Sequence, residues 1–251
     1  PNAGYTAPKL CGIRDQQPEL YENTHLFLSW PDLVQQQLGA EPVTNFSHAN
    51  RTLLFDLAHE CWSERLIDAA GLDRSKLPDV VPSGTVVGTV SPAVADKLGL
   101  PKGVQVVTGA HDQCCNALGA GVIDAGRAVC GIGTVECISP TYDRIPDLSR
   151  MHETRLNVEH HAVPDRFVSF IYNQAGSLVK WFRNTFAVGE PDVDYDTLFA
   201  ETPEEPTGLL VLPYFEMTGA PTFVSDASGA IVGLKTSTTR GEILKAILES
   251  E

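Results

Sequence analysis

Val104-Gln105-Val106-Val107-Thr108-Gly109-Ala110-His111-Asp112-Gln113 is the stretch on which the reading of this chain turns. Its first four residues are rich in β-branched side chains and predict a short strand. Beyond Thr108-Gly109-Ala110-His111, the residues from Asp112 to Gly119-Ala120-Gly121 are compatible with a helix. A strand feeding a helix through a turn of small residues is a unit of α/β architecture. Such sheets bind ligands in the crevice outside their strand ends, and Asp112 stands at that place.

Upstream, residues 1–80 read mostly helical. Pro31 suits a first helical position, with Asp32 to Leu38 following and Gly39 as the stop. Ser63 to Gly71 has an N-cap residue, helical spacing and a closing glycine. Pro82 to Val90 predicts a turn and then an extended segment, and Ser91-Pro92 starts a helix that Gly99 ends. Downstream, Ala128-Val129-Cys130, Gly131-Ile132-Gly133-Thr134 and Val135-Glu136-Cys137-Ile138 read as strand, glycine turn, strand. Val158 to Val163 and Phe167 to Tyr172 are further strands, Ala175-Gly176 opens a helix through Phe182, Leu209 to Leu212 is a buried strand, and Arg240 to Glu249 is a final helix. Strands interleaved with helices indicate an α/β protein, with a domain junction near residues 121–127.

The composition, 43% hydrophobic and 20% charged over 251 residues, is that of a globular protein. Against 32 acidic residues there are 18 basic ones, a net charge of −14. A surface this acidic repels nucleic acid and anionic lipid, so neither is expected as a partner. A nucleotide or phosphosugar still fits a local site of backbone N–H groups and one or two cations. Cys11, Cys61, Cys114, Cys115, Cys130 and Cys137 lie in apolar stretches without a CxxC pair. They read as reduced, buried thiols of a cytoplasmic protein rather than a disulfide framework. No apolar run approaches the ~20 residues of a membrane span. Pro1-Asn2-Ala3-Gly4-Tyr5 has no start methionine or signal pattern, and Leu248-Glu249-Ser250-Glu251 stops in mid-helix, so both ends read as cut.

Asp112 can accept a proton from a substrate hydroxyl as that hydroxyl attacks phosphorus, and Gln113 can hydrogen-bond the same polyol. An N-cap role explains Asp112 equally, and from spacing alone it is the simpler account. In Gly131-Ile132-Gly133-Thr134 the glycines allow backbone N–H groups to approach phosphate oxygens and Thr134 adds a hydroxyl, although an ordinary hairpin turn has the same pattern. Ala175-Gly176-Ser177 puts a small residue at a helix start, which suits an anion or close helix–sheet packing, with Lys180 one turn along the same face. Glu159-His160-His161 does not predict a metal site, because adjacent strand residues point to opposite faces. A packed or solvated pair is expected there, and helix packing for Cys114-Cys115.

In this order, these segments resemble the FGGY carbohydrate kinase family, and the resemblance covers essentially the whole chain. Gly4-Tyr5-Thr6-Ala7-Pro8-Lys9-Leu10 is similar to the family's first signature, with Gly12 where tryptophan is usual. Arg51-Thr52-Leu53-Leu54-Phe55-Asp56, Trp62-Ser63, Leu66, Val81-Pro82-Ser83-Gly84 and Val87-Gly88 also resemble it. Gly109-Ala110-His111-Asp112-Gln113 matches the catalytic segment, Gly133-Thr134 the second phosphate loop, and Gly176 to Arg183 a helix whose start approaches ATP. Leu212-Pro213-Tyr214 follows as the family has it. Gly229-Ala230-Ile231-Val232-Gly233-Leu234, then Glu242-Ile243 and Ala246-Ile247-Leu248-Glu249, match the second signature.

The resemblance implies the actin-like ATPase, or ribonuclease-H-like, two-domain α/β fold, incomplete at both ends. Residues 1–121 would be the later part of the N-terminal, sugar-binding domain and residues 122–251 the earlier part of the C-terminal, nucleotide-binding domain. The implied activity is ATP-dependent phosphorylation of a sugar or polyol hydroxyl in the cytoplasm, with Mg²⁺ on the ATP phosphates. Asp112 would be the base, Asp112 and Gln113 substrate contacts, and Gly133, Thr134, Gly176 and Lys180 the ATP contacts. No protein ligand to a metal is expected, and a homodimer is compatible. Thr6-Ala7-Pro8-Lys9 is more similar to xylulose-type than to glycerol kinases, so a ketopentose comes first, ahead of glycerol, a tetritol, rhamnulose or gluconate. Gly12 and Glu136 also keep open a non-catalytic sugar-binding sensor or scaffold of the same fold.

Overall fold

Three helices and one turn of this chain are set by glycines or prolines at their ends. In a computed structural model, which describes residues 4–190 and 193–250, these are α3, α5, α6 and the loop after Gly84. The elements in chain order are α1 (Thr6–Gln16), α2 (Pro18–Asn23), α3 (Trp30–Leu38), β1 (Thr44–Asn45), α4 (Phe46–Asn50), β2 (Phe55–Asp56), β3 (Cys61–Trp62), α5 (Glu64–Ala70), β4 (Val80–Val81), β5 (Val86–Thr89), α6 (Pro92–Leu98), β6 (Gln105–Val107) and α7 (Asp112–Gly119). There follow β7 (Ala128–Ile132), β8 (Val135–Tyr142), α8 (Leu148–Glu153), β9 (Glu159–His160), β10 (Phe167–Val168), β11 (Ile171–Gln174), α9 (Gly176–Phe186), α10 (Tyr195–Ala200), β12 (Leu210–Leu212), β13 (Ala230–Val232) and α11 (Arg240–Glu249). The ends that read as cut, Pro1 to Ala3 and Glu251, lie outside the described residues. Among the described residues no helix is long and apolar enough to cross a membrane.

Helices α3, α5 and α6 stop at Gly39, Gly71 and Gly99, each with positive φ, where a side chain would be strained. Helix α3 starts one residue earlier than expected, at Trp30. Its first turn is closed by a capping box in which Asp32 Oδ2 accepts from Ser29 N (3.0 Å) and Ser29 Oγ (2.7 Å). Ser63 occupies the N-cap of α5, but its side chain makes no capping bond. Strand β6 pairs antiparallel with β5 in a two-stranded sheet. The strand preceding Asp112 is therefore not a central parallel strand here.

Four expectations are corrected. The turn after β7 is only Gly133-Thr134, because pairing continues to Ile132. Strand 158–163 shrinks to β9, since His161 turns back, its N–H donating to Arg166 O (2.9 Å). Strand 167–172 divides into β10 and β11 because Asn157 captures the edge: its Oδ1 accepts from Phe170 N (3.0 Å) and its carbonyl from Ser169 Oγ (2.6 Å). In β12 only Val211 is buried, with Leu210 and Leu212 exposed. The cysteines also differ from expectation. None of the six is in a disulfide, but only Cys114 and Cys137 are buried, and Cys61, Cys115 and Cys130 are exposed.

The described chain packs as two compact units, each made of three segments. The first comprises the described residues to Arg127 with Pro140–Pro146 and Val158–Val168; the second comprises Ala128–Ser139, Asp147–Asn157 and the described residues from Ser169. In the first, Leu54, Ile67 and Ala49 anchor one core and Val90, Ala95 and Val106 a smaller one. Trp62 is buried with its indole N–H satisfied by Pro78 O (2.7 Å). Strand β10 pairs antiparallel with β9 and with the end of β8. In the second unit, β11 pairs antiparallel with Val135–Ile138, and Leu178, Phe182, Leu198, Leu244 and Ile247 join α9, α10 and α11 into one core. Gly229 lies against the Phe215 ring and Gly241 against the Glu201 carbonyl, and a Cβ at either would overlap those atoms.

Helix α11 opens with a reciprocal cap: Thr239 N donates to Glu242 Oε2 (2.7 Å) and Glu242 N to Thr239 Oγ1 (3.2 Å). Replacing Thr239 by Ala is expected to destabilise the second unit by about 1 kcal/mol, with Thr239→Ser close to wild type. Urea titration followed through Trp181 checks this.

Candidate active site

Asp112 owes its position to a short helix far away in sequence. Asn45 caps α4, its Oδ1 accepting from His48 N (3.1 Å) and from Ser47 Oγ (2.6 Å). The Ser47 hydroxyl in turn accepts the His111 N–H (2.7 Å). Asn45 and Ser47 are fully buried, so these bonds are shielded from water. The loop entering α7 is thereby fixed at His111. His111 has the extended backbone of an N-cap (φ −53°, ψ 142°), and Asp112 is the first helical residue. The N-cap account of Asp112 is thus displaced by one position.

The Asp112 side chain is 80% exposed. Among the described residues two contacts converge on one oxygen: Oδ1 accepts from Gln113 N (2.8 Å) and lies 3.2 Å from His111 Nε2. Oδ2 has no hydrogen-bond partner among the described residues. Gln113 is half-buried, and its Oε1 is buried without a partner among the described residues. An unmatched buried acceptor costs about 1–3 kcal/mol, so it is an opening for a ligand hydroxyl.

Beside this carboxylate lie two histidines with depressed basicity, His111 and His48. Burial lowers His111 to about 4, reinforced by Arg51 and His48 and opposed by Asp112. Burial also lowers His48, whose ring meets that of His111 edge-on at 6.2 Å, and His160. Arg51 is anchored by Glu159 Oε1 at 2.7 Å and lies over the Tyr5 ring. His160 and His161 are packed, as the sequence implied: His160 N and Nδ1 meet Asn50 Oδ1 (2.8 and 2.9 Å), and His161 Nδ1 accepts from Val163 N (2.9 Å). Cys114 bonds the His160 carbonyl (3.5 Å), while Cys115 is exposed, so packing explains only the first of the pair.

In the second unit, Gly133 and Thr134 form the β7–β8 turn and Gly176 begins α9. The Gly176 N–H donates to Gly133 O and the Ser177 N–H to Thr134 O, both at 3.0 Å. A Cβ on Gly176 would stand 2.5 Å from Gly133 O. Glycine is needed here for the turn to dock on the helix start, and the first two amides of α9 hold that turn. Gly133 N donates to Val135 O (3.0 Å), whereas the Thr134 N–H and hydroxyl have no partner among the described residues. Lys180 is exposed one turn along α9. Glu136, beside the turn, is buried, with Oε1 accepting from Cys130 Sγ (3.0 Å) and Oε2 from Asn173 Nδ2 (2.9 Å). That bond pushes the Cys130 thiol up to about 11. Among the described residues no cluster of three or more His, Cys, Asp or Glu could hold a metal ion.

Sequence reasoning missed His111, Ser47 and Asn45. Asn45 before Phe46-Ser47-His48 is an N-cap signal, but nothing local ties Ser47 to a residue 64 positions later.

The model of the FGGY family of carbohydrate kinases, N-terminal domain, matches residues 2–119. Over 250 residues the chain is 30% identical to the xylulose kinase of Bacillus subtilis (strain 168), covering 98% of this chain and 49% of that protein. The crystal structure of xylulose kinase from Rhodospirillum rubrum aligns with a TM-score of 0.82 and 29% identity, over 98% of this chain and 49% of that one. The ligand-bound xylulose kinase from Lactobacillus acidophilus aligns with a TM-score of 0.84 and 21% identity, over 98% and 50%, a likeness of fold. The chain spans about half the length of the curated relatives it matches. The α/β fold of these sugar kinases is the fold of this chain.

Two outcomes follow from the geometry. Gly176→Ala must push the turn off the helix start, so the Ser177 amide, expected to exchange slowly in the wild type, should lose its protection. Unchanged protection there would show that the turn tolerates a Cβ. His160 and His161, which are buried, and His48 and His111, which are half-buried, all have folded-state values below the ordinary one. On acidification the unfolded chain protonates first, so stability is lost as pH falls below about 6.5 and down towards the depressed folded values. Denaturation midpoints across this range should fall with pH, with the loss reduced in His161→Gln.

Proposed function

The chain belongs to the FGGY family of carbohydrate kinases, and from that premise we propose that the whole protein transfers the γ-phosphoryl group of ATP to a hydroxyl of a sugar or polyol. A ketopentose such as xylulose is the first candidate substrate, supported by the likeness to xylulose kinases along 98% of this chain. Residues 1–121 then supply the sugar side and residues 122–251 the nucleotide side, in a cytoplasmic enzyme.

The observation that carries the reading is the state of Asp112. It is an exposed carboxylate on a rigid helix start, with Oδ1 engaged and Oδ2 open. The substrate hydroxyl gives its proton to Oδ2 while its oxygen bonds to the γ-phosphorus and the bond to the β–γ bridging oxygen breaks, releasing ADP. The buried Gln113 Oε1 accepts from a second hydroxyl of the same substrate. The open N–H and hydroxyl of Thr134 receive phosphate oxygens, on a turn that Gly133 and Gly176 allow to dock. Lys180 offers its exposed ammonium to the same phosphates. Mg²⁺ needs no dedicated protein cage when phosphates and water supply its ligands.

The test is sugar-dependent ADP release by the full-length protein against ketopentoses, glycerol, tetritols, rhamnulose and gluconate. An enzyme releases ADP with at least one, whereas a sugar-binding sensor binds without turnover. Asp112→Asn should lower kcat by about 10²- to 10⁴-fold with the melting temperature kept. Near-normal turnover by that variant would remove Asp112 from the role of base.

A further inference from the structure

We propose that His111 is a positioning residue for phosphoryl transfer: its Nε2–H holds Oδ1 of Asp112, so that the carboxylate presents Oδ2 to the substrate hydroxyl. The inference rests on Asp112 being the base. It assigns the neighbouring imidazole a task that neither composition nor spacing reveals.

The geometry supports it at three levels. His111 Nε2 stands 3.2 Å from Asp112 Oδ1 in a charge contact, close enough for a hydrogen bond once the exposed carboxylate turns into line with the ring N–H. The ring is held at its root, because the His111 N–H is committed to the buried Ser47 hydroxyl, itself bonded to the Asn45 amide. The ring is mostly enclosed, its side chain 18% exposed against 80% for Asp112. An enclosed donor anchored at its root thus faces an exposed acceptor, and a bond between them limits the acceptor. The backbone N–H of Gln113 reaches the same Oδ1 at 2.8 Å but would be supplied by any residue at position 113. A single donor lets a carboxylate swing about it, and a second donor from a different direction does not.

The charge state suits the task. Among the described residues, Arg51, His48 and Asp112 face the ring. Arg51 is bound to Glu159, and Asp32 faces His48. Burial together with Arg51 and His48 outweighs the pull of Asp112 and keeps the imidazole neutral across the physiological range. A neutral imidazole carries one N–H, which orients the carboxylate. An imidazolium at this distance would also oppose the arrival of the substrate proton.

The experiment uses the full-length protein and whichever sugar gives ADP release. Steady-state kcat and KM are measured for wild type, His111→Ala, His111→Gln, His111→Asn and Asp112→Asn, with thermal melts of each. Positioning predicts that His111→Ala loses about tenfold or more in kcat, since small misplacements of a reacting group are costly, with KM for the sugar nearly unchanged. His111→Gln, whose amide N–H extends as far as Nε2, should regain most of the loss, and the shorter His111→Asn should not. Should the alanine variant melt early, the Gln and Asn pair gives the same comparison. Wild-type kcat in His111→Ala, or equal losses in Gln and Asn, would overturn the positioning role. If Asp112→Asn is inactive while His111→Ala is unaffected, only this inference fails. If Asp112→Asn turns over normally, the assignment of the base fails first.

Discussion

The Ser47 hydroxyl is the constraint on which the sugar side of this chain depends. It donates to Asn45 and accepts from His111, and both bonds lie where water does not reach. Helix α4 has five residues, too few to persist by its own hydrogen bonds. It holds because Asn45 closes its first turn and because Phe46 packs among Phe55 and His160. With α4 fixed, the loop before α7 has one position, and the carboxylate at the head of that helix inherits it. Breaking this chain of bonds in a dry interior leaves at least one donor without an acceptor, the expensive kind of loss.

The phosphate-side turn is built on the opposite principle. There the main chain does the holding: two amides at the start of α9 reach two carbonyls of the β7–β8 turn, and the only demand on the side chain is that position 176 have none. Glu136 and its partners Cys130 and Asn173 brace the strands beside it without entering the turn. One side of the proposed chemistry is specified by polar side chains and the other by the absence of a β-carbon.

Much of this was legible in the sequence, and the reasons differ by element. Helices α3, α5 and α6 could be bounded because a left-handed glycine is a local requirement, visible without tertiary information. The last helix, Arg240 to Glu249, coincides with its expected span, since Thr239 and Glu242 form a cap within four residues. The 167–172 strand could not be divided by eye, because the residue that divides it is Asn157, whose amide competes for the ladder from ten or more positions away. The exposed cysteines defeated a rule about residue type, since burial is a property of the neighbours and not of the thiol. Asp112 stood out by its setting between strand and helix, while His111 beside it went unremarked. What distinguishes His111 is a serine 64 residues earlier and an arginine that caps the end of the same short helix.

The threefold segmentation of the first unit has a consequence for how the protein is made. A nascent chain that has emerged only as far as Arg127 still lacks β9 and β10. Arg51 then has no Glu159, and Asn50 has no His160, partners that lie 108 and 110 residues ahead. At a synthesis rate of about 5–20 residues per second, the ribosome needs seconds to deliver them. Throughout that interval the aromatic faces of Phe46 and Phe55 are uncovered, and the intervening segment must also start a second folding nucleus. Vectorial synthesis therefore cannot finish the first body before beginning the next, and this fold closes late, at Val168.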